Sequence, residues 1–205
     1  RRCSEATERS GRFASSLAPS PIASVDISVL GEIAEQDVRV LQLSALKGVF
    51  SVLVEDPVSY VNAPVLAADR GVESTLTTDL DCPEHRAVVR VKLALTDGRS
   101  IVVAGTVTGP RDIEKLIEID GFEIDVPISS HMAFYTYDDK PGIVGVVGQI
   151  LGSANVNIAG MQVSRTKAGG EALIALTVDS AIPADTLDAI AAGIGAAAVN
   201  AVDLD

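Results

Sequence analysis

A carboxylate, a helix mouth and an amide fall close together in residues 137–160, which read YDDKPGIVGVVGQILGSANVNIAG. Asp138, Asp139, Lys140, Pro141 and Gly142 supply a turn, and proline near the first helical position opens a helix there. The first amides of a helix have no intrahelical partner and carry a positive partial charge, so they attract a carboxylate. Asp139 beside that mouth accepts hydrogen bonds from an ammonium or hydroxyl group, and Asn157, whose amide both donates and accepts, reaches either end of an amino acid. Together these groups suit a small zwitterion. Charge-assisted hydrogen bonds contribute about 1.5 to 3 kcal/mol each; a few of them, less the entropy of association, give roughly micromolar to millimolar affinity, the range of a metabolite sensor. A plainer reading stands beside it, with Asp139 as a helix cap and Asn157 as a strand-edge residue.

The elements that must hold these groups follow from periodicity. Ile143, Val146, Val147, Ile150, Leu151 and Ala154 repeat at the spacing of one buried helical stripe, which predicts a helix over 141–154. Gly145, Gly148 and Gly152 lie off that stripe, and since glycine costs roughly 1 kcal/mol in a helix interior, their presence predicts close approach of another backbone. Asn155 is suited to a left-handed turn that ends the helix, with a strand resuming at Val156. The run of strand, glycine-rich turn and helix is not a dinucleotide-binding loop, because Gly142, Gly145 and Gly148 give GxxGxxG where GxG is needed at the turn.

The stretch YDDKPGIVGVVGQILGSANVNIAGMQVSR resembles the first strand, helix and second strand of an ACT domain, in particular that of the D-3-phosphoglycerate dehydrogenase family. Upstream, SALKGVFSVLVEDPVSYVNAPVLAADRGV and VVAGTVTGP resemble the intervening regulatory domain of the long form of that family. The resemblance implies L-serine as ligand at a contact between two subunits, with self-association through the ACT domain. Its contacts would be Tyr137 and Asp139 from one subunit, Asn157 from the other, and the amides around Pro141, Gly142 and Ile143. It also implies that His85, Arg86 and Lys115 are candidates for binding a phosphate-bearing anion, against the plainer reading of solvated charges. NAD and oxidoreductase chemistry would belong to a catalytic part outside these residues, which themselves contain no nucleotide-binding or dehydrogenase motif; no cofactor is expected in this chain.

Composition bounds the alternatives. The 205 residues carry 16 Lys and Arg against 28 Asp and Glu, a net charge of -12 that disfavours nucleic acid and anionic membranes as partners. Two cysteines, Cys3 and Cys82, make no disulfide framework. With no apolar run long enough to span a bilayer and no signal-peptide core in RRCSEATERSGR, a soluble, cytoplasmic protein is expected. An arginine at position 1 suggests a piece of a longer polypeptide. Cys82 and His85 would need two more distant ligands for a metal, so no metal site is expected. No nucleophile and base motif is present, and two separated cysteines cannot hold an iron-sulfur cluster of the kind found in related serine dehydratases.

The chain divides accordingly. Residues 1–19 read as the tail of a preceding helix followed by a linker at 14–24, where Pro19 and Pro21 block helix continuation. Residues 20–128 read as a mixed α+β intervening domain. It opens with a strand in which Val25, Ile27 and Val29 alternate with polar residues, followed by a helix over 37–54 with apolar residues on most faces. A short helix from Asn62 to Gly71 comes next, then strands joined by turns at Asp97-Gly98 and Asp120-Gly121. Residues 129–205 read as a ferredoxin-like βαββαβ domain, with strands over 132–137, 156–165, 172–178 and 197–204 and helices over 141–154 and 183–194. A module that only drives oligomerisation, without ligand, is the alternative function.

Overall fold

The structure, a computed structural model, describes residues 2–167 and 169–204; Ala168, in the loop expected at 167–170, lies outside them. The fold is α+β and divides into two compact units, Arg1–Gly121 and Phe122–Asp205.

The first unit contains α1 (Arg2–Leu17), β1 (Ile22–Gly31), a 3-10 turn (Glu32–Glu35), α2 (Arg39–Leu53), α3 (Ala63–Asp69), β2 (Glu73–Asp79), β3 (Ala87–Leu95), β4 (Ser100–Thr108) and β5 (Ile113–Ile119). Its strands lie in the order β2-β1-β3-β4-β5. β1 and β2 are parallel and joined by the two helices, while β1, β3, β4 and β5 pair antiparallel. Val25, Ile27 and Val29 are fully buried, as their alternation predicts. β2, ESTLTTD, has no apolar alternation to announce it; it is an edge strand that forms because β1 offers it a parallel ladder.

The segment expected to be a tail and linker is an integral part of this unit. α1 continues through Ala14 and Ser15 to Leu17, and Phe13 and Ala14 are fully buried. It packs on α2, β3 and β4. Two glycines set the spacing between α1 and α2: a Cβ on Gly48 would lie 1.9 Å from the Glu8 carbonyl oxygen, and one on Gly11 would lie 2.5 Å from that of Ala45. Lys47 reaches Glu8 at 2.8 Å across the same seam. Pro19 and Pro21 do follow the helix end, three residues later than the expected linker begins. α2 buries Leu41, Ala45, Leu46, Val49 and Phe50, whereas Leu53, expected inside, is nearly half exposed at the helix end.

The second unit contains β6 (Phe122–Pro127), β7 (His131–Asp138), α4 (Ile143–Ser153), β8 (Ile158–Arg165), β9 (Glu171–Val178), α5 (Ala184–Ile194) and β10 (Ala198–Asp203). It begins earlier than the expected boundary at 128 because β6 packs on β8 and β9, with the Asp125 amide donating to the Gln162 side-chain oxygen at 2.8 Å. Asp120 and Gly121, the turn pair before it, both take positive φ. The four-stranded sheet has the order β10-β7-β9-β8, all neighbours antiparallel, the ferredoxin-like arrangement. Ile143, Val147 and Leu151 of α4 and Ile190 and Ile194 of α5 cover Ala133, Tyr135, Tyr137, Ile174 and Leu176 on one sheet face. Gly193 lets the two helices close: a Cβ there would stand 3.1 Å from Val146 and 3.2 Å from Ile150.

Candidate functional site

The mouth of α4 is built by its backbone. Gly142 takes a φ of 90°, a left-handed conformation that favours glycine, and the helix starts at Ile143, two residues later than proline placement predicts. The first intrahelical bond runs from the Val146 amide to the Gly142 carbonyl at 3.1 Å, so the amides of Ile143, Val144 and Gly145 precede it, and among the described residues no N-cap side chain bonds to them. The helix ends as the sequence predicts, with Asn155 at a φ of 57°. Among the described residues nothing stands within 4 Å of a Cβ built on Gly145, Gly148 or Gly152, so the close backbone approach expected at these glycines is not found among them.

Asp139 is not a helix cap. Its Oδ2 accepts from Arg165 Nη1 at 3.2 Å and from the Gly169 amide at 3.3 Å, and its own amide donates to the Gly170 carbonyl at 2.8 Å. Tyr137, one strand position before the turn, is buried on the helix-covered face of β7. Burial raises the pKa of its phenol, the Asp139 carboxylate raises it further and Arg165 pulls it back, so the three side chains sense one another. Arg165 was not legible as a site residue from its neighbours in sequence. The sheet brings it in, since β7 and β8 flank β9 in parallel and Tyr137 and Arg165 both face Ala172 in register.

Asn157 lies elsewhere. It precedes β8, beside the far end of β9, and its Nδ2 donates to Asp179 Oδ2 at 2.5 Å. That leaves it a second N–H and its carbonyl oxygen for a ligand. Asp139 lies against Gly170 and Asn157 against Asp179, beyond the two ends of β9, so they sit at opposite ends of the sheet, about 30 Å apart at 3.3 Å per residue. One chain therefore brings together Tyr137, Asp139, Pro141, Gly142 and Ile143 but not Asn157.

The basic trio lies in the first unit. Arg86 is exposed and pairs with Glu32 at 2.8 Å, while the Glu32 amide donates to the Arg86 carbonyl at 2.9 Å. His85 precedes it in the loop before β3. Lys115 lies on β5, opposite Thr106 of β4, which in turn faces Val88 of β3. Two strand spacings, about 10 Å, thus separate Lys115 from the start of β3. Among the described residues no three His, Cys, Asp or Glu side chains converge to hold a metal ion, and no helix is long and apolar enough to cross a membrane.

Residues 5–120 match the model of the D-3-phosphoglycerate dehydrogenase intervening domain. The chain belongs to that family. Residues 131–192, which carry the α4 mouth and Asn157, match the ACT domain. Among similar proteins, the D-3-phosphoglycerate dehydrogenase of Mycobacterium leprae is 39% identical over 95% of this chain and 37% of its own length. Those of Synechocystis and Bacillus subtilis are 33% and 31% identical, over 89% and 82% of this chain and 33% and 32% of their own lengths. The chain thus spans about a third of each D-3-phosphoglycerate dehydrogenase it resembles. An unknown protein from Galdieria sulphuraria overlaps 37% of the chain and 44% of its own at 16% identity and a TM-score of 0.31, too slight a likeness to bear on the fold.

Proposed function

We propose that this chain is the regulatory part of a D-3-phosphoglycerate dehydrogenase and binds L-serine between the ACT domains of two subunits, as the feedback effector of serine biosynthesis. NAD and the oxidoreductase reaction belong to the remainder of such an enzyme, and the regulated polypeptide is cytoplasmic. The observation that carries the reading is the separation of the two halves of the site. β8 stands at one end of its sheet order, with an edge to offer a second chain. If two copies pair antiparallel along β8 about a two-fold axis, Asn157 at the start of one strand comes to the end of the other, beside Asp139 and the mouth of α4. The effector carboxylate then takes the free amides of Ile143 and Val144, its ammonium takes Asp139, and Asn157 of the partner subunit closes over the side-chain hydroxyl or carboxylate. A ligand that touches both chains favours the arrangement in which both are in place, and through this difference in affinity acts on the enzyme.

Calorimetry with L-serine against D-serine tests the reading. Heat is expected with the L enantiomer, and none at millimolar ligand with a confirmed dimer would remove it. Asn157→Ala is expected to weaken L-serine by about 1 to 3 kcal/mol, the loss of one satisfied polar partner; unchanged affinity would take Asn157 out of the site. A module that pairs subunits without ligand predicts instead a mass indifferent to serine. An anion held by His85, Arg86 and Lys115 has less support, since the Arg86 guanidinium is already matched to Glu32.

A further inference from the structure

We propose that Arg165 is a built-in competitor for the ammonium position of the effector site, so that the chain sets its own threshold for amino acids. The inference rests on the effector reading above and names a residue that reading does not use. One oxygen of the carboxylate that the effector reading assigns to the ligand ammonium, Asp139 Oδ2, already accepts from Arg165 and from the Gly169 amide, at 3.2 and 3.3 Å. The arginine reaches it through a single Nη1 rather than the two-pronged fork that makes the strongest arginine–carboxylate pairs. Its side chain is 59% exposed, while that of Asp139 is 20% exposed. A guanidinium in that position is held weakly and is resolvated once displaced, which is what a reversible competitor requires. Gly169 holds the carboxylate in place without adding charge, so displacing Arg165 leaves Asp139 oriented and negative.

The charge on Arg165 makes the competition selective. A ligand ammonium and the guanidinium seek the same negative charge, and only one of them obtains it at full strength. A hydroxy acid of the same shape brings a neutral hydroxyl and no cation, so it does not contend with Arg165 for the charge of Asp139. Removing the guanidinium therefore tightens an amino acid and leaves the hydroxy acid where it was, whereas a loosened or rearranged site moves both ligands together.

The test is a titration of L-serine and of L-glycerate, its analogue with a hydroxyl in place of the ammonium, into the unaltered chain, Arg165→Gln and Arg165→Lys. Heats and amide chemical shifts are the readouts. Arg165→Gln is expected to bind L-serine about two- to fivefold more tightly, the scale of one exposed ion pair, with L-glycerate unchanged. Arg165→Lys, which keeps the charge, is expected to stay near the unaltered affinity. If L-serine binds the unaltered chain and Arg165→Gln binds it equally or more weakly, Arg165 is not a competitor and the effector site stands without it. Equal tightening of both ligands also overturns the proposal. If no variant binds either ligand, the effector site and the competitor fall together.

Discussion

At the scale of single residues, side chains that look available in the sequence are mostly engaged by partners far along the chain. Asp139 and Asn157 stand out in the sequence as candidate ligand groups because their chemistry is local, a carboxylate beside a helix mouth and an amide before a strand. Their partners, Arg165 and Asp179, were not legible, because only the sheet register joins them. Tyr135 shows the opposite case, a polar group with nothing to meet it. Its side chain is fully buried and, among the described residues, its hydroxyl has no hydrogen-bond partner. Burial, and then the Asp188 carboxylate, push its pKa up to about 12, against roughly 10 for an exposed tyrosine. Between those values the unfolded chain has lost the proton while the folded chain keeps it. The unfolded state then binds fewer protons, and stability falls as pH rises through the interval. Tyr135→Phe removes both the unmet hydroxyl and the titration. Urea unfolding at pH 8 is expected to find the variant as stable as the unaltered chain or up to about 1 kcal/mol more so. The loss of stability from about pH 10 to 12 is expected to be shallower in the variant.

At the scale of elements, two sets of glycines look alike in sequence and differ in what surrounds them. Gly11 and Gly48 have carbonyl oxygens where a Cβ would go, whereas Gly145, Gly148 and Gly152 have nothing within 4 Å. Reading glycine as a mark of crowding anticipates the first situation and assigns it to the wrong helix. α1 escaped the sequence reading for a related reason. Its buried surface includes Thr7, Ser10 and Ser15 as well as apolar residues, so it reads as polar. Thr7 and Ser10 reach the interior by donating to the carbonyls of Cys3 and Ala6 in their own helix, at 2.6 and 2.9 Å, which removes most of the cost of burying a hydroxyl. Where turn chemistry is local, at Asn155, Gly71 and the Asp120-Gly121 pair, the sequence located the element ends well. Gly48→Ala is expected to drive α1 and α2 apart and cost about 3 kcal/mol, whereas Gly152→Ala is expected to stabilise the chain by up to about 1 kcal/mol through helix propensity alone. Paired denaturant titrations of the two variants check this, and similar changes for both would mean that α4 is as crowded as the seam between α1 and α2.

At the scale of the whole molecule, the distance between Asp139 and Asn157 turns a question about a ligand into one about assembly. If Asp139 and Asn157 share one ligand, as proposed, the site is complete only where two chains meet, and binding and self-association are then linked, each strengthening the other by the same factor. That linkage gives a test which no single-chain site passes. Asp139→Ala damages one half of every site in its own dimer, and Asn157→Ala damages the other half by about 1 to 3 kcal/mol, so neither variant alone is expected to bind L-serine with near-normal affinity. In a dimer formed from one chain of each kind, one of the two sites combines both defects and the other combines the intact Asp139 with the intact Asn157. Random exchange makes about half of the dimers mixed, and the mixture is expected to bind L-serine at about one site per four chains with near-normal affinity. Calorimetric stoichiometry after mixing, with exchange followed by mass, reads this directly. Failure of near-normal sites to reappear in the fully exchanged mixture would mean that Asp139 and Asn157 do not share a ligand, and near-normal binding by either variant alone would mean that the half it lacks is not required.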